Sequence, residues 1–193
     1  LTVPNSVTEF DWGAFYYMPA LKTINISNSV TTIARSAFQY TPLTSISVDP
    51  TNQYFSSVDG VLFNKDRTEL VKFPSGKDAS TWSIPSGVTT INGYAFDGVD
   101  SLVNLVIPEG VTRINNESIR ECANLKTISI PSTVNFIENA GKLGMLSKLL
   151  TSIVVAPSNI TLYEWNTSNN QSSQSQLSCL FEFDTLLNKH GYH

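Results

Sequence analysis

The chain has 193 residues, of which only 15% are charged, and its net charge at pH 7 is −4. Its 12 lysines and arginines are scattered, which excludes the clustered basic surface that nucleic-acid recognition needs. This length predicts one folded domain with its own core, or one domain plus a small appendage. No apolar run approaches the roughly 20 residues of a membrane span. The chain starts at Leu1 without a visible apolar leader, which leaves a removed signal peptide and a cut fragment both open.

One phrase recurs along the chain with a period of 23 residues. It reads NSVTTIARSAF at 28–38, SGVTTINGYAF at 86–96 and EGVTRINNESI at 109–119. Val30 and Val88 lie 58 residues apart, which equals 23 plus an insertion of 35. Apolar residues that recur at one fixed offset are the signature of a solenoid, in which each repeat forms one coil and stacks on its neighbours.

Each coil is predicted to contain two short strands. In LKTISIP (125–131), Ile128 and Ile130 alternate with polar residues, which is typical of a strand with one buried face. VTRI (111–114) is a second short extended piece. We therefore predict a mainly β solenoid of about five 23-residue coils with short parallel strands over residues 1–155. Phe96 should be a buried rung between the coil of Phe38 and that of Ile119.

An insertion at about 49–83 interrupts the repeats. GVLF (60–63) and ELVKF (69–73) flank a polar turn and predict a β-hairpin. The hairpin is either a protruding contact or a structural lid over the neighbouring coil. We favour the lid, because loops with strands of their own usually pack back onto the protein.

The C-terminal segment 156–193 is predicted to cap the last coil. Its stretch at 166–176 is polar and of low complexity, and we interpret it as a mobile loop. LSCLFEFDTLL (177–187) has apolar residues at helical spacing and predicts an amphipathic helix that covers the open end, although a strand is also possible. Its apolar side chains could instead contact a following domain or a partner.

The repeat consensus L-x-x-I-x-I-P-x-x-V-T-x-I-x-x-x-A-F resembles the BspA-like (Treponema pallidum type) leucine-rich repeats of bacterial surface proteins. The resemblance covers about residues 1–155, and the segment at 52–77 is similar to an insertion common in that family. Ser118-Ile119 and Ala140-Gly141 depart from the Ala-Phe pair. The resemblance implies a leucine-rich repeat solenoid in a secreted or cell-surface protein that binds other macromolecules, often host proteins.

Residues that carry catalytic or metal-binding chemistry are scarce. His190 and His193 lie in the last four residues, where order is least expected. Cys122 and Cys179 are too few for a zinc site, and a buried free thiol is the default for Cys122, with a Cys122–Cys179 disulfide as the alternative. We therefore expect no enzyme activity, no cofactor and no metal.

The remaining candidate is the outward face of the first strand of each coil. Aligned coils stack its polar side chains into rows along the sheet, and such extended faces are the usual binding surfaces of solenoids. We predict a non-enzymatic adhesin-like module that recognises an extracellular or host protein there, or alternatively a structural spacer in a larger surface protein. The predicted contact residues are Lys22, Thr23, Asn25, Thr44, Ser45, Ser47, Asn104, Lys126, Thr127 and Ser129.

Overall fold

The computed structural model describes residues 1–80 and 82–138, and beyond them the backbone of strands within 152–177. The described chain is a solenoid of about six turns, built from strands and turns without a helix. Its strands are β1 (Glu9–Phe10), β2 (Thr23–Ile26), β3 (Thr32–Ile33), β4 (Ser45–Val48), β5 (Phe55–Val58), β6 (Val61–Asn64), β7 (Glu69–Lys72), β8 (Thr90–Ile91), β9 (Asn104–Val106), β10 (Arg113–Ile114), β11 (Thr127–Ile130), β12 (Phe136–Glu138), β13 (Ser152–Val155), β14 (Ile160–Asn166) and β15 (Gln171–Leu177).

Each regular coil contributes two strands, and equivalent strands of successive coils pair in parallel. β11 pairs with β9 and β13, so that Ile128 lies beside Leu105 and Ile153. β10 pairs with β8 and β12 in the same way. The alternation in β2, in which Ile24 and Ile26 are buried and their neighbours are exposed, shows why the sequence forms strands here. One face of each strand enters the core, and burial of each such isoleucine contributes about 1.5–3 kcal/mol.

The insertion packs into the solenoid rather than protruding from it. β6 and β7 pair antiparallel, which confirms the predicted hairpin. Leu62 and Val71 join the apolar core of the first coils, whereas Phe63, Leu70 and Phe73 join the core of the later ones. The hairpin is therefore a wedge with one apolar side toward each core, which agrees with the favoured structural interpretation of this segment.

The insertion also supplies a coil of its own. β7 pairs in parallel with β8, and the Phe73 ring stacks on Phe96 with centroids 5.7 Å apart. Phe96 is fully buried as predicted, but its aromatic neighbours are Phe73 and Trp82 and not Phe38. The sequence spacing concealed this rung, because Phe73 follows Leu70 by three positions whereas Phe96 follows Ile91 by five.

Both strand ladders are interrupted at the insertion. β1–β3 and β2–β4 form two small sheets, β9–β11–β13 a third, and β5 to β8 join β10, β12, β14 and β15 in an eight-stranded sheet. β5 and β6 also pair antiparallel, and this second hairpin takes the free edge of β4: the Ile46 N–H donates to Gly60 O at 2.8 Å, and the Val48 N–H to Ser57 Oγ at 3.1 Å. The predicted rows of polar side chains therefore do not run along one sheet, because β4 and β9 are not neighbours.

The C-terminal strands extend the fold past the predicted boundary at 155. β14 pairs in parallel with β12, and β15 pairs antiparallel with β14. β15 occupies most of the stretch at 166–176 that was predicted to be a loop, and that prediction is wrong for residues 171–176. Strand pairing uses backbone groups, so an edge strand of serine and glutamine is compatible with its polar composition. The predicted helix beyond Leu177, Cys179 and both histidines lie outside the described residues.

Candidate interaction surfaces

All ten predicted contact residues lie on the outward side of strands β2, β4, β9 and β11 or directly before one of these strands. Each is exposed or half-buried. The predicted register is confirmed within each sheet: Thr23 pairs with Ser45, Asn25 with Ser47, and Thr127 with Asn104. The coils thus present hydroxyl and amide groups side by side, as the row alignment predicted within each sheet.

Neighbouring side chains on this face bond to one another. The Ser47 hydroxyl lies 3.2 Å from Asn25 Oδ1, and the Thr127 hydroxyl lies 2.7 Å from Asn104 Oδ1. The Thr44 hydroxyl donates to the Lys22 carbonyl oxygen at 3.1 Å. These side-chain hydrogen bonds occupy some of the donors and acceptors that a partner would otherwise use. The remaining lone pairs and donors on the outward side stay in contact with solvent.

The structure separates the ten residues into two groups. The N-terminal strand patch comprises Lys22, Thr23, Asn25, Thr44, Ser45 and Ser47, and the C-terminal strand patch comprises Asn104, Lys126, Thr127 and Ser129. The turn between β5 and β6 closes the first patch on one side. A Cβ at Gly60 would lie 2.6 Å from Ser45 Oγ, so the turn rests directly on this predicted contact residue.

A second surface was missed by the sequence analysis. We define the aromatic edge as the exposed side chains Trp12, Tyr16, Tyr17, Met18 and Tyr40, which follow β1 and β3. Tyr16 meets Tyr40 edge-to-face at 5.4 Å, which joins two coils. The available signal was the 23-residue spacing of Tyr17 and Tyr40, both of which have positive φ angles (51° and 56°).

Arg120 extends this edge toward the later coils. Its guanidinium carbon lies 5.6 Å from the Tyr40 ring centroid and 5.9 Å from that of Tyr94. Three carboxylates hold the same group: Glu121 at 2.5 Å, Glu117 at 3.1 Å and the buried Asp97 at 3.6 Å. Burial and a hydrogen bond with Glu117 raise the pKa of Tyr94 to about 12, so this phenol stays protonated at neutral pH. The arrangement is a guanidinium between aromatic rings and acids.

Lys72 is the one buried lysine among the described residues. Its ammonium donates to Tyr94 O at 2.9 Å and to Asp97 O at 3.2 Å. The equivalent carbonyls one coil further on, those of Glu117 and Arg120, accept backbone N–H groups instead, at 3.2 and 2.9 Å. The ammonium therefore replaces two backbone donors that the shortened insertion coil lacks. Burial lowers the pKa of Lys72 to about 8.

The described residues offer no arrangement for catalysis that we can assign. Cys122 is a buried free thiol, as predicted, and burial raises its pKa to about 12, which makes it a poor nucleophile. Within residues 1–80 and 82–138, no three His, Cys, Asp or Glu side chains are grouped so that they could hold a metal ion. In the same part of the chain, no helix has the length and apolar character needed to cross a membrane.

Sequence comparison identifies the family. The BspA type leucine rich repeat region matches residues 1–79 and 72–173, with six copies of the repeat. The chain belongs to this family. No curated protein sequence shows a significant match.

Solved structures of similar proteins agree with this family and its fold. A leucine-rich repeat protein from Eubacterium ventriosum is 27% identical, with a TM-score of 0.74, over 84% of this chain and 42% of its own. The pneumococcal vaccine antigen PcpA is 22% identical, with a TM-score of 0.67, over 83% of this chain and 53% of its own. The BspA-type chain described here thus spans about half the length of these two proteins.

Proposed function

We propose that this chain is a non-enzymatic protein-binding module of a secreted or cell-surface protein. The supporting observation is the membership of a repeat family typical of surface proteins, together with outward polar side chains held in register on a rigid frame. Extended solenoid faces of this kind bind macromolecules through many small contacts. A neutral face of hydroxyl and amide groups gives modest affinity per molecule, which many copies at a cell surface would raise.

We propose the two strand patches as the contact surface for an extracellular or host protein. Lys22 and Lys126 are the charged side chains among the ten residues, and both are exposed. They would steer an acidic partner, in a manner that weakens with salt. The β5–β6 turn beside Ser45 would form one wall of the N-terminal strand patch.

A structural spacer is the second candidate function. The hydrogen bonds from Ser47 to Asn25 and from Thr127 to Asn104 favour it, because a ladder of mutually satisfied side chains keeps a face soluble without any partner. In that case the repeats would carry other parts of a larger surface protein.

A surface-binding assay against a panel of immobilised extracellular host proteins tests the proposal. The wild type is compared with Lys22→Glu/Ser47→Arg for the first patch and Thr127→Arg/Ser129→Arg for the second. Ser86→Arg/Ser132→Arg changes two exposed serines outside both patches and is the matched control. We expect at least one patch variant to lose binding while the control retains it. Binding that survives both patch variants would exclude the strand face, and an absence of binding to any panel protein would favour the spacer.

A further inference from the structure

The aromatic edge holds five of the eight large apolar side chains that remain exposed in the described residues. Trp12 and Tyr17 are 74% and 69% exposed, although the chain has a core that buries most of its other large apolar groups. Two tight turns fold this segment: the Ala14 N–H donates to Asp11 O and the Tyr16 N–H to Gly13 O. Rings on a compact turn lose little conformational entropy on binding, which is why tyrosine and tryptophan are frequent binding anchors.

The surroundings of the exposed rings are acidic. Residues 2–21 contain Glu9 and Asp11 and no lysine or arginine. Both acids are exposed. Arg35 occupies the position of Trp12 one coil further on, but its guanidinium is directed to the Glu138 carboxylate at 3.5 Å. The first coil therefore combines exposed rings with two carboxylates that no described lysine or arginine pairs within salt-bridge distance.

The same surface already shows what such a combination binds. Around Arg120, the rings of Tyr40 and Tyr94 and the carboxylates of Glu117 and Glu121 surround one guanidinium. The first coil offers the same two kinds of group with no guanidinium of its own. Charge complementarity and the attraction of a cation to an aromatic face both favour a basic side chain at that place.

We propose that the aromatic edge around Trp12 and Tyr17 binds a polypeptide segment in which arginine or lysine side chains stand next to apolar ones. The basic group packs on an exposed ring and pairs with Glu9 or Asp11, while apolar neighbours cover Met18 and the remaining ring surface. The site is separate from both strand patches, so it goes beyond the function proposed above and requires a different partner chemistry.

Selection from a displayed library of random dodecapeptides tests this site. The wild-type chain is the bait, and selected peptides are titrated against variants by fluorescence anisotropy. Trp12→Ser/Tyr17→Asn removes the two most exposed rings, and asparagine tolerates the positive φ of position 17. Glu9→Gln/Asp11→Asn removes the charges alone. Tyr54→Asn, which removes an exposed ring on the insertion, is the matched control.

We expect selected peptides enriched in arginine and lysine beside apolar residues. Their affinity should fall about tenfold or more with Trp12→Ser/Tyr17→Asn and several-fold with Glu9→Gln/Asp11→Asn. The Tyr54→Asn control and both strand-patch variants should bind as the wild type does. The proposal is overturned if no peptide is selected, or if the selected peptides are not enriched in arginine and lysine. It is also overturned if Trp12→Ser/Tyr17→Asn unfolds cooperatively, and so is folded, but binds the peptides as tightly as the wild type does. None of these outcomes bears on binding at the strand patches, which their own variants report.

Discussion

Replacement of Lys72 by methionine tests the role of the buried ammonium in the insertion coil. Methionine keeps most of the length and apolar volume of the side chain but removes the donors to Tyr94 O and Asp97 O. Tyr94 O also accepts the Asp97 N–H at 3.2 Å, so it keeps one partner. A buried acceptor left without a partner costs about 1–3 kcal/mol. The loss of the charge offsets part of this cost, since an ammonium is itself expensive to bury.

The pH dependence separates the two effects. Burial lowers the pKa of Lys72 from 10.5 to about 8, so between these values the unfolded chain binds a proton that the folded chain does not. The free energy of unfolding must then rise with pH in this range. From pH 7.5 to pH 9 the gain for one such group is about 1.2 kcal/mol. The variant has no ammonium at position 72 and lacks this gain.

Urea denaturation of both proteins at several pH values between 7.5 and 9 measures the difference. Cys122 acts in the opposite direction, because burial raises its pKa to about 12 and the unfolded thiol ionises first. Lys72 lowers the pKa of Cys122, and its removal raises that pKa further, so the folded thiol stays protonated up to pH 9 in both proteins and subtraction of the two curves removes its contribution. Lys22→Met, at an exposed lysine, should give a curve parallel to the wild type. If the Lys72→Met curve is also parallel to the wild type, the ammonium at position 72 is not buried as described.

Three further substitutions, with Gly87→Ala as a control for one of them, test the packing of the solenoid by urea denaturation. Phe96→Ala should cost about 3–5 kcal/mol, because it opens a cavity beside the stacked Phe73 ring; a loss below about 1 kcal/mol would contradict the coil alignment. Asn52→Ala should cost about 1–3 kcal/mol, since the buried amide donates to Ser27 O and Val30 O at 2.9 Å, and an unchanged midpoint would show that the insertion is not anchored there. Gly60→Ala should lower the free energy of unfolding by about 1–3 kcal/mol, because position 60 has a φ of +78° and the new Cβ would contact Ser45 Oγ. A Cβ at position 87 would meet nothing within 4 Å, so Gly87→Ala should show only the strain of its positive φ.

The regular coils could be predicted from the sequence because each obeys one spacing. Residues 23 apart, such as Arg113 and Phe136, pair directly, so the period of the sequence equals the register of the sheet. Direct pairing continues where the spacing changes to 25, since Thr127 pairs with Ser152. Alternating burial within each strand then assigns the outward residues without further information.

The insertion could not be predicted in the same detail, because it keeps the stacking of the coils but not their spacing. In its coil the buried aromatic residue, Phe73, comes two positions earlier than Phe96 does in the next coil. The Lys72 ammonium supplies the hydrogen-bond donors that the shortened coil lacks. From the sequence alone, the lysine in the apolar run ELVKF is predicted to face solvent from a strand. Only the carbonyls of the next coil reveal that its ammonium is directed inward.

The aromatic edge escaped prediction for a different reason. Its residues lie in turns, where neither strand alternation nor the apolar consensus applies. Tyr17 and Tyr40 share the 23-residue period of the core residues, yet they are exposed. A periodic aromatic therefore does not mark the core by itself. Its position in the coil decides, and here the positive φ of both residues marks a turn in which the side chain is directed outward.

The insertion interrupts both ladders, yet several contacts tie the two halves of the solenoid together. Asn52 binds the turn after β2, and the Gly76 N–H donates to Leu43 O at 2.8 Å. The Arg120 guanidinium donates to the Tyr40 hydroxyl across the insertion coil and the coil of Phe96. Stacked repeats normally gain stability only from adjacent coils, so such long contacts are needed where backbone pairing stops. The aromatic edge therefore has a structural part at Tyr40 and an exposed part at Trp12 and Tyr17. This is why the ring substitutions proposed above spare Tyr40, whose loss would weaken the fold as well as the surface.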